Sequence, residues 1–126
     1  MVGILSETEK VRVSRIQPDL IHIVFPPLVT IRGIDDYYRT LLEILRLQPS
    51  GCRMLADMTG VKKVQLGAPI EASKWLPKTK KFSSRVAVYG LQSWMQNMLK
   101  AVLKISLRED IKVFHTLAEA ELWLNR

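Results

Sequence analysis

A chain of 126 residues with a net charge of +7 is long enough for one domain with a real apolar core, and it needs no staple to hold it. Its 48% hydrophobic and 25% charged residues argue against disorder. The single cysteine, Cys52, excludes an internal disulfide and a cysteine-based metal cluster, and its apolar surroundings mark it as a buried residue of a reducing compartment.

The N-terminal residues Met1-Val2-Gly3-Ile4-Leu5 and Ser6-Glu7-Thr8-Glu9 lack the basic and apolar regions of a signal peptide, and residues 1–9 are expected to be a flexible leader. No run approaches the ~20 apolar residues that span a bilayer. A cytoplasmic location is expected. Val11-Arg12-Val13-Ser14-Arg15-Ile16 alternates apolar and polar, the mark of a half-buried strand. Turn chemistry at Gln17-Pro18-Asp19 and a second strand over 20–25 predict an antiparallel hairpin.

Pro26-Pro27 ends the hairpin, and a short extended piece over 28–31 leads to the first helix. Ile34, Tyr37, Tyr38, Leu41, Leu42 and Leu45 form one apolar stripe and predict a helix over 34–47, with Asp35 and Asp36 in its first turn and Arg46 in its last. After Pro49-Ser50-Gly51 a buried strand runs to Asp57. Gly67-Ala68-Pro69 opens a helix carrying Ile70, Ala72, Trp75 and Leu76, which Pro77 is expected to break, leaving Lys78-Thr79-Lys80-Lys81 as a basic loop. A strand over 86–89, a helix over 92–104, a strand over 111–114 and a final helix complete the chain. The last begins at the capping box Thr116-x-x-Glu119. Strand and helix alternate, so the fold class is α/β. The expectation is a single domain over 1–126: a mixed sheet of four to five strands, an N-terminal antiparallel hairpin, parallel later strands and about four helices, packed largely on one side.

The strongest local chemistry is Asp57-Met58-Thr59-Gly60, where an acid, a hydroxyl and a glycine meet at the carboxyl end of a strand. In open α/β sheets ligands and modifications gather there. Thr59 is a candidate switch hydroxyl and Asp57 its acid; the competing reading is a threonine that only turns or caps the chain. Residues 61–112 carry eleven Lys or Arg against three acids, a local charge of +8, and the rest of the chain sums to −1. This basic half suits an acidic protein partner or an anionic lipid. Nucleic acid is not expected, since no stacking motif or recognition helix accompanies the lysines.

Three segments together carry a family resemblance: the strand ending Asp57-Met58-Thr59-Gly60, Arg85-Val86-Ala87-Val88-Tyr89-Gly90 before a helix, and the ending Val113-Phe114-His115-Thr116-Leu117-Ala118-Glu119-Ala120-Glu121-Leu122-Trp123-Leu124. The chain resembles a STAS-type domain, the fold of bacterial anti-sigma-factor antagonists and sulfate-transporter tails. More narrowly, it resembles the small stand-alone bacterial branch grouped with CRAL-TRIO lipid-transfer domains. The resemblance implies that Thr59 matches the serine that accepts phosphate from a partner kinase, with Asp57 as the matching acid. Met58 stands where the antagonists carry a first serine.

No catalytic or metal-ligating constellation is found: His22 lies mid-strand, His115 lies in a turn, and no nucleophile motif accompanies them. No cofactor is expected. Trp94 and Trp123, at helical spacing, are read as core. Trp75 is placed beside the lysines in an irregular, mobile segment bordering the main pocket. The reading is a non-enzymatic regulatory or protein-interaction module of STAS type, with contacts over residues 57–64 including Lys62 and Lys63. The alternative is a small carrier binding a lipid or other apolar anion near Trp75, Lys78, Lys80 and Lys81. A homodimer is left open, and an enzyme using Asp57 and a histidine is the least favoured reading.

Overall fold

The computed structural model describes residues 5–47, 51–106 and 108–126. In chain order the first half holds β1 (Arg12–Gln17), β2 (Leu20–Val24), β3 (Leu28–Val29), α1 (Ile31–Arg46) and β4 (Cys52–Asp57). The second half holds β5 (Lys63–Val64), α2 (Ala68–Thr79), β6 (Ser83–Tyr89), α3 (Ser93–Ser106), β7 (Ile111–Phe114) and α4 (Leu117–Leu124). The hairpin β1–β2 is antiparallel, with its register shifted between Arg15 and Gln17. From β2 onward every pairing in the main sheet is parallel, in the order β1-β2-β4-β6-β7. Parallel neighbours need a crossover, and α1, α2 and α3 supply the three. β3 lies in the extended piece expected over 28–31; its parallel pairing with β5 was not expected, since two residues are too few to show a period. The described residues thus hold seven strands, five of them in the main sheet.

Alternation along the strands decides what each face buries. Ile21, Ile23, Met54, Ala56, Val86 and Val88 join the core under α1, α2 and α3. Leu55, Ala87 and Tyr89 pack on the other face against Ala120 and Leu124 of α4. Two arginines hold the end of α4: Arg85 Nη1 donates to Trp123 O (2.6 Å) and Arg53 Nη1 to Leu124 O (3.2 Å). Cations at a helix C-terminus satisfy orphan carbonyls and suit its dipole.

Several boundaries depart from the expectation. α1 begins at Ile31 rather than residue 34, because the Thr30 side chain accepts from Gly33 N (2.9 Å) and closes the helix start. Asp35 and Asp36 therefore lie beyond the first turn. Within the expected flexible leader, Ser6 O accepts from Glu9 N and Lys10 N (3.0 Å each), Leu28 N donates to Thr8 O (3.0 Å), and Glu9 pairs with Arg32 (3.0 Å). Two tryptophans exchange environments. Trp94 is 47% exposed, whereas Trp75 is 9% exposed and stacked on Tyr38 with ring centroids 5.8 Å apart. The buried side of α3 centres on Met95 and Val102, which turns Trp94 outward.

Pro77 does not break α2, which continues to Thr79 and passes into a 3-10 turn over Lys80–Phe82. The basic loop expected over 78–81 is therefore a helix end. Arg108, at 5% exposure, caps this helix end. Its guanidinium donates to Leu76 O (2.7 Å), Thr79 Oγ1 (3.0 Å), Ser83 Oγ (3.3 Å) and both carboxylate oxygens of Asp110 (2.7 and 2.8 Å). All five donors are used, and one buried cation ties the end of α2 to β6 and to the approach to β7. Breaking such a buried network costs about 3–5 kcal/mol. Arg108→Ala should lower urea-melt stability by that order. Asp35→Ala, which removes the exposed Asp35–Arg39 pair, should cost less than about 0.5 kcal/mol.

Candidate functional site

The end of β4 is stitched to both neighbouring strands. Phe25 N donates to Asp57 O (2.9 Å) and Met58 N to Tyr89 O (3.0 Å). Val61 N then returns to Met58 O (3.2 Å), and the Val61 side chain is buried, so the turn is anchored on its far side as well. No helix starts at Thr59. The turn leads to β5, whose entry is held by Lys62 N and Lys63 N donating to Pro27 O (2.8 and 3.0 Å), and α2 begins only at Ala68. Thr59 and Gly60 are exposed at the tip.

Within this turn the Thr59 hydroxyl donates to Asp57 Oδ1 at 2.6 Å, and Thr59 N donates to the same oxygen at 2.9 Å. This is an Asx-type turn in which one carboxylate oxygen takes two donors from the residue two positions on. Burial pushes the Asp57 carboxyl up. The two Thr59 hydrogen bonds, the Tyr89 phenol beside it and the nearby His22 outweigh that, and hold it below the ordinary carboxylate range. Burial and the Asp57 carboxylate together push the Tyr89 phenol up to about 12. Tyr89 lies directly across the parallel register from Asp57.

The turn's close-packing demand falls on Gly90 rather than on Gly60. A Cβ at Gly60 would meet nothing nearer than Phe25 O at 3.9 Å. Gly90 has φ +84°, and a Cβ there would lie 2.2 Å from Thr59 Cγ2 and 2.9 Å from Thr59 N. Only glycine allows β6 to end against this turn. Tyr89 and Gly90 are thus part of the site. The sequence signal that could have found them is the end of the next parallel strand, which any loop at the carboxyl end of β4 must pass.

The structure brings Asp57, Thr59, Lys62 and Lys63 into one segment. Both lysines are exposed, and neither makes an ion pair among the described residues. Trp75, Lys78, Lys80 and Lys81 are elsewhere, at the far end of the twelve-residue α2. There Trp75 lies under Lys78 Nζ (4.7 Å to the ring centroid) and Arg39 (5.5 Å). A cavity of about 130 Å³ lies between the sheet and α1, α2 and α3, walled by residues such as Met54, Val88, Tyr38, Leu76 and Met95. Trp75 does not line it; α2 presents Ala68, Ala72 and Leu76 to it instead. Among the described residues no cluster of His, Cys, Asp or Glu could hold a metal ion. No helix there is long and apolar enough to cross a membrane.

If the Thr59 hydroxyl is what depresses Asp57, Thr59→Val should raise the Asp57 pKa, read from its carboxyl carbon shift in an NMR titration. A depressed carboxylate contributes stability above its unfolded pKa, and the contribution is lost as pH falls through the folded value. The wild-type turn should therefore stay ordered to lower pH than the valine variant's, as its amide shifts will report.

Residues 20–125 match the SpoIIAA-like family. No curated protein matches the chain. Among solved structures, an uncharacterized DUF3478-family protein with a SpoIIAA-like fold from Shewanella loihica PV-4 aligns over 97% of this chain and 99% of its own, with 20% identity and a TM-score of 0.68. An anti-sigma-factor antagonist (STAS) domain protein from Planctomyces limnophilus aligns over 92% and 98%, with 16% identity and a TM-score of 0.59. The murine anion transporter Solute Carrier 26 family member A9 aligns over 85% of this chain and 18% of its own, with 15% identity and a TM-score of 0.66. These likenesses are of fold. The match over residues 20–125 makes the chain a member of the SpoIIAA-like family.

Proposed function

We infer that this protein is a non-enzymatic regulatory module that works in the cytoplasm by protein contact, through residues 57–64, with Thr59 as its switch. The observation that carries the reading is the exposed Thr59 hydroxyl held 2.6 Å from the Asp57 carboxylate on a turn anchored at both ends. A partner kinase holding a nucleoside triphosphate finds there an acceptor whose proton already points at a base. Transfer forms the Thr59 Oγ1–Pγ bond, breaks the bond from Pγ to the β–γ bridging oxygen and releases the diphosphate. The hydroxyl proton passes through Asp57 to solvent, and the carboxylate is left ionised. The product sets a phosphate of nearly two negative charges against Asp57. The Asx turn then loses its hydroxyl donor, and the phosphate is repelled toward Lys62 and Lys63. A partner reads that change in shape and charge; an acidic one is favoured by the unmodified, lysine-flanked state.

Thr59→Asp should change the set of proteins retained on the immobilised domain, and Thr59→Ala should retain the unmodified set. Both should keep the wild-type fold in thermal melts, because an exposed side chain carries little packing energy. Identical partners for wild type and the aspartate variant, with a stability loss for the alanine variant, would reduce Thr59 to a structural turn residue.

A second reading, a small carrier, draws support from the apolar cavity. Its size is close to that of an engineered cavity of ~150 Å³ that stays dry and takes up benzene. Arg108 lines it, but with all five donors engaged it has none left for an incoming anion. The guest this wall suits is neutral and apolar rather than a fatty-acid anion. Benzene should shift the methyl resonances of Met95 and Val88, and Ala72→Leu should abolish the shift. Stronger shifts with a short fatty acid than with benzene would contradict the neutral-guest assignment.

A further inference from the structure

A second surface lies at the opposite end of the domain from Thr59. The C-terminal turns of α1 and α2 and the 3-10 turn after α2 border a groove of about 330 Å³, lined by Leu42, Arg46, Pro77, Lys78, Lys81 and Phe82. Three cations from three separate elements line it together with Leu42, Pro77 and Phe82. No acid lines the groove, and among the described residues no acid pairs with Arg46, Lys78 or Lys81. Glu43, the nearest acid along α1, does not line it.

Helix-end electrostatics accounts for part of this. Arg46 and Lys78 sit in last turns, where the macrodipole favours a cation. It does not account for Lys81, which belongs to the 3-10 turn, nor for the gathering of all three beside Leu42, Pro77 and Phe82. Both lysines also rest on rings: Lys81 Nζ lies 5.1 Å from the centroid of Phe82, which lines the groove, and Lys78 Nζ 4.7 Å from that of Trp75, which does not. Such contacts limit the side-chain freedom that binding would otherwise have to remove.

We propose that this groove docks an acidic peptide segment of a partner protein, one aromatic or branched side chain entering between Leu42, Pro77 and Phe82 while flanking carboxylates meet Arg46, Lys78 and Lys81. Its short apolar lining of Leu42, Pro77 and Phe82 suits one anchoring side chain rather than an acyl chain. The positive rim opposed to an acidic segment supplies complementarity and steering. This surface is independent of the Thr59 turn, so the domain can hold one protein there while the turn engages another.

The test uses fluorescein-labelled peptides of the pattern Glu-Asp-X-Asp-Glu, with X as Phe, Leu, Trp, Ala or Lys, in polarisation titrations. The peptides with Phe, Leu or Trp should bind more tightly than those with Ala or Lys, and binding should weaken in high salt. Lys78→Glu with Lys81→Glu should weaken it by about tenfold or more. Lys78→Gln with Lys81→Gln, which places no negative charge at the end of α2, should weaken binding in the same direction but less, and should melt closer to wild type than the double glutamate variant. Thr59→Asp should bind the peptides as wild type does, which separates this groove from the switch. Absence of binding by every X, or equal binding by the double charge-reversal variant, would overturn the proposal. So would tighter binding of phosphatidylserine-containing vesicles or a single-stranded DNA oligomer that the same variant abolishes, since the groove would then belong to lipid or nucleic acid.

Discussion

The parallel pairing of β4 with β6 is the constraint on which the candidate site depends. It sets Asp57 opposite Tyr89 and carries the turn that follows β4 across the end of β6, where Gly90 leaves room for Thr59. The backbone bond from Met58 N to Tyr89 O fixes the same approach. With Phe25 N, just past β2, holding Asp57 O on the other side, the turn has little freedom of its own. Its exposed tip carries the hydroxyl that Asp57 orients. Rigid presentation of one reactive group at the carboxyl end of a central strand is a general use of α/β sheets.

A second constraint organises the opposite end. Arg108 is a buried cation whose cost of desolvation is met by five hydrogen bonds, two of them to Asp110. By holding Leu76 O and Thr79 Oγ1 it caps the end of α2, beside the turn that carries Lys81 and Phe82. The apolar cavity and the basic groove both border that final stretch of α2. The Thr59 turn and the groove are therefore separate surfaces, joined by α2 and by the sheet.

Much of the architecture was legible because it rests on local periodicity. The hairpin, the stripe of α1, the capped α4 and the alternation that makes the later strands parallel are all repeating patterns. What was not legible came from long-range contacts. Pro77 reads as a helix breaker until Arg108, thirty-one positions later, is seen to hold the helix end. Trp75 reads as a surface residue until Tyr38 is stacked on it, and Trp94 as core until the buried side of α3 is seen to centre on Met95. At the site, Asp57 and Thr59 stood out by residue type. Tyr89 and Gly90 did not, since their part follows from strand register rather than from any local motif. Arg46 joined the basic groove for the same reason: the ends of two helices meet there.

The central claim is that the Thr59 hydroxyl is a site of reversible modification. Mass spectrometry of the protein isolated from the cells that make it, with and without phosphatase treatment, tests this most directly. The account predicts a single phosphate on the peptide containing Thr59, removed by phosphatase and varying with growth conditions. A Thr59 that stays unmodified under every condition, or a phosphate confined to other residues, would contradict it.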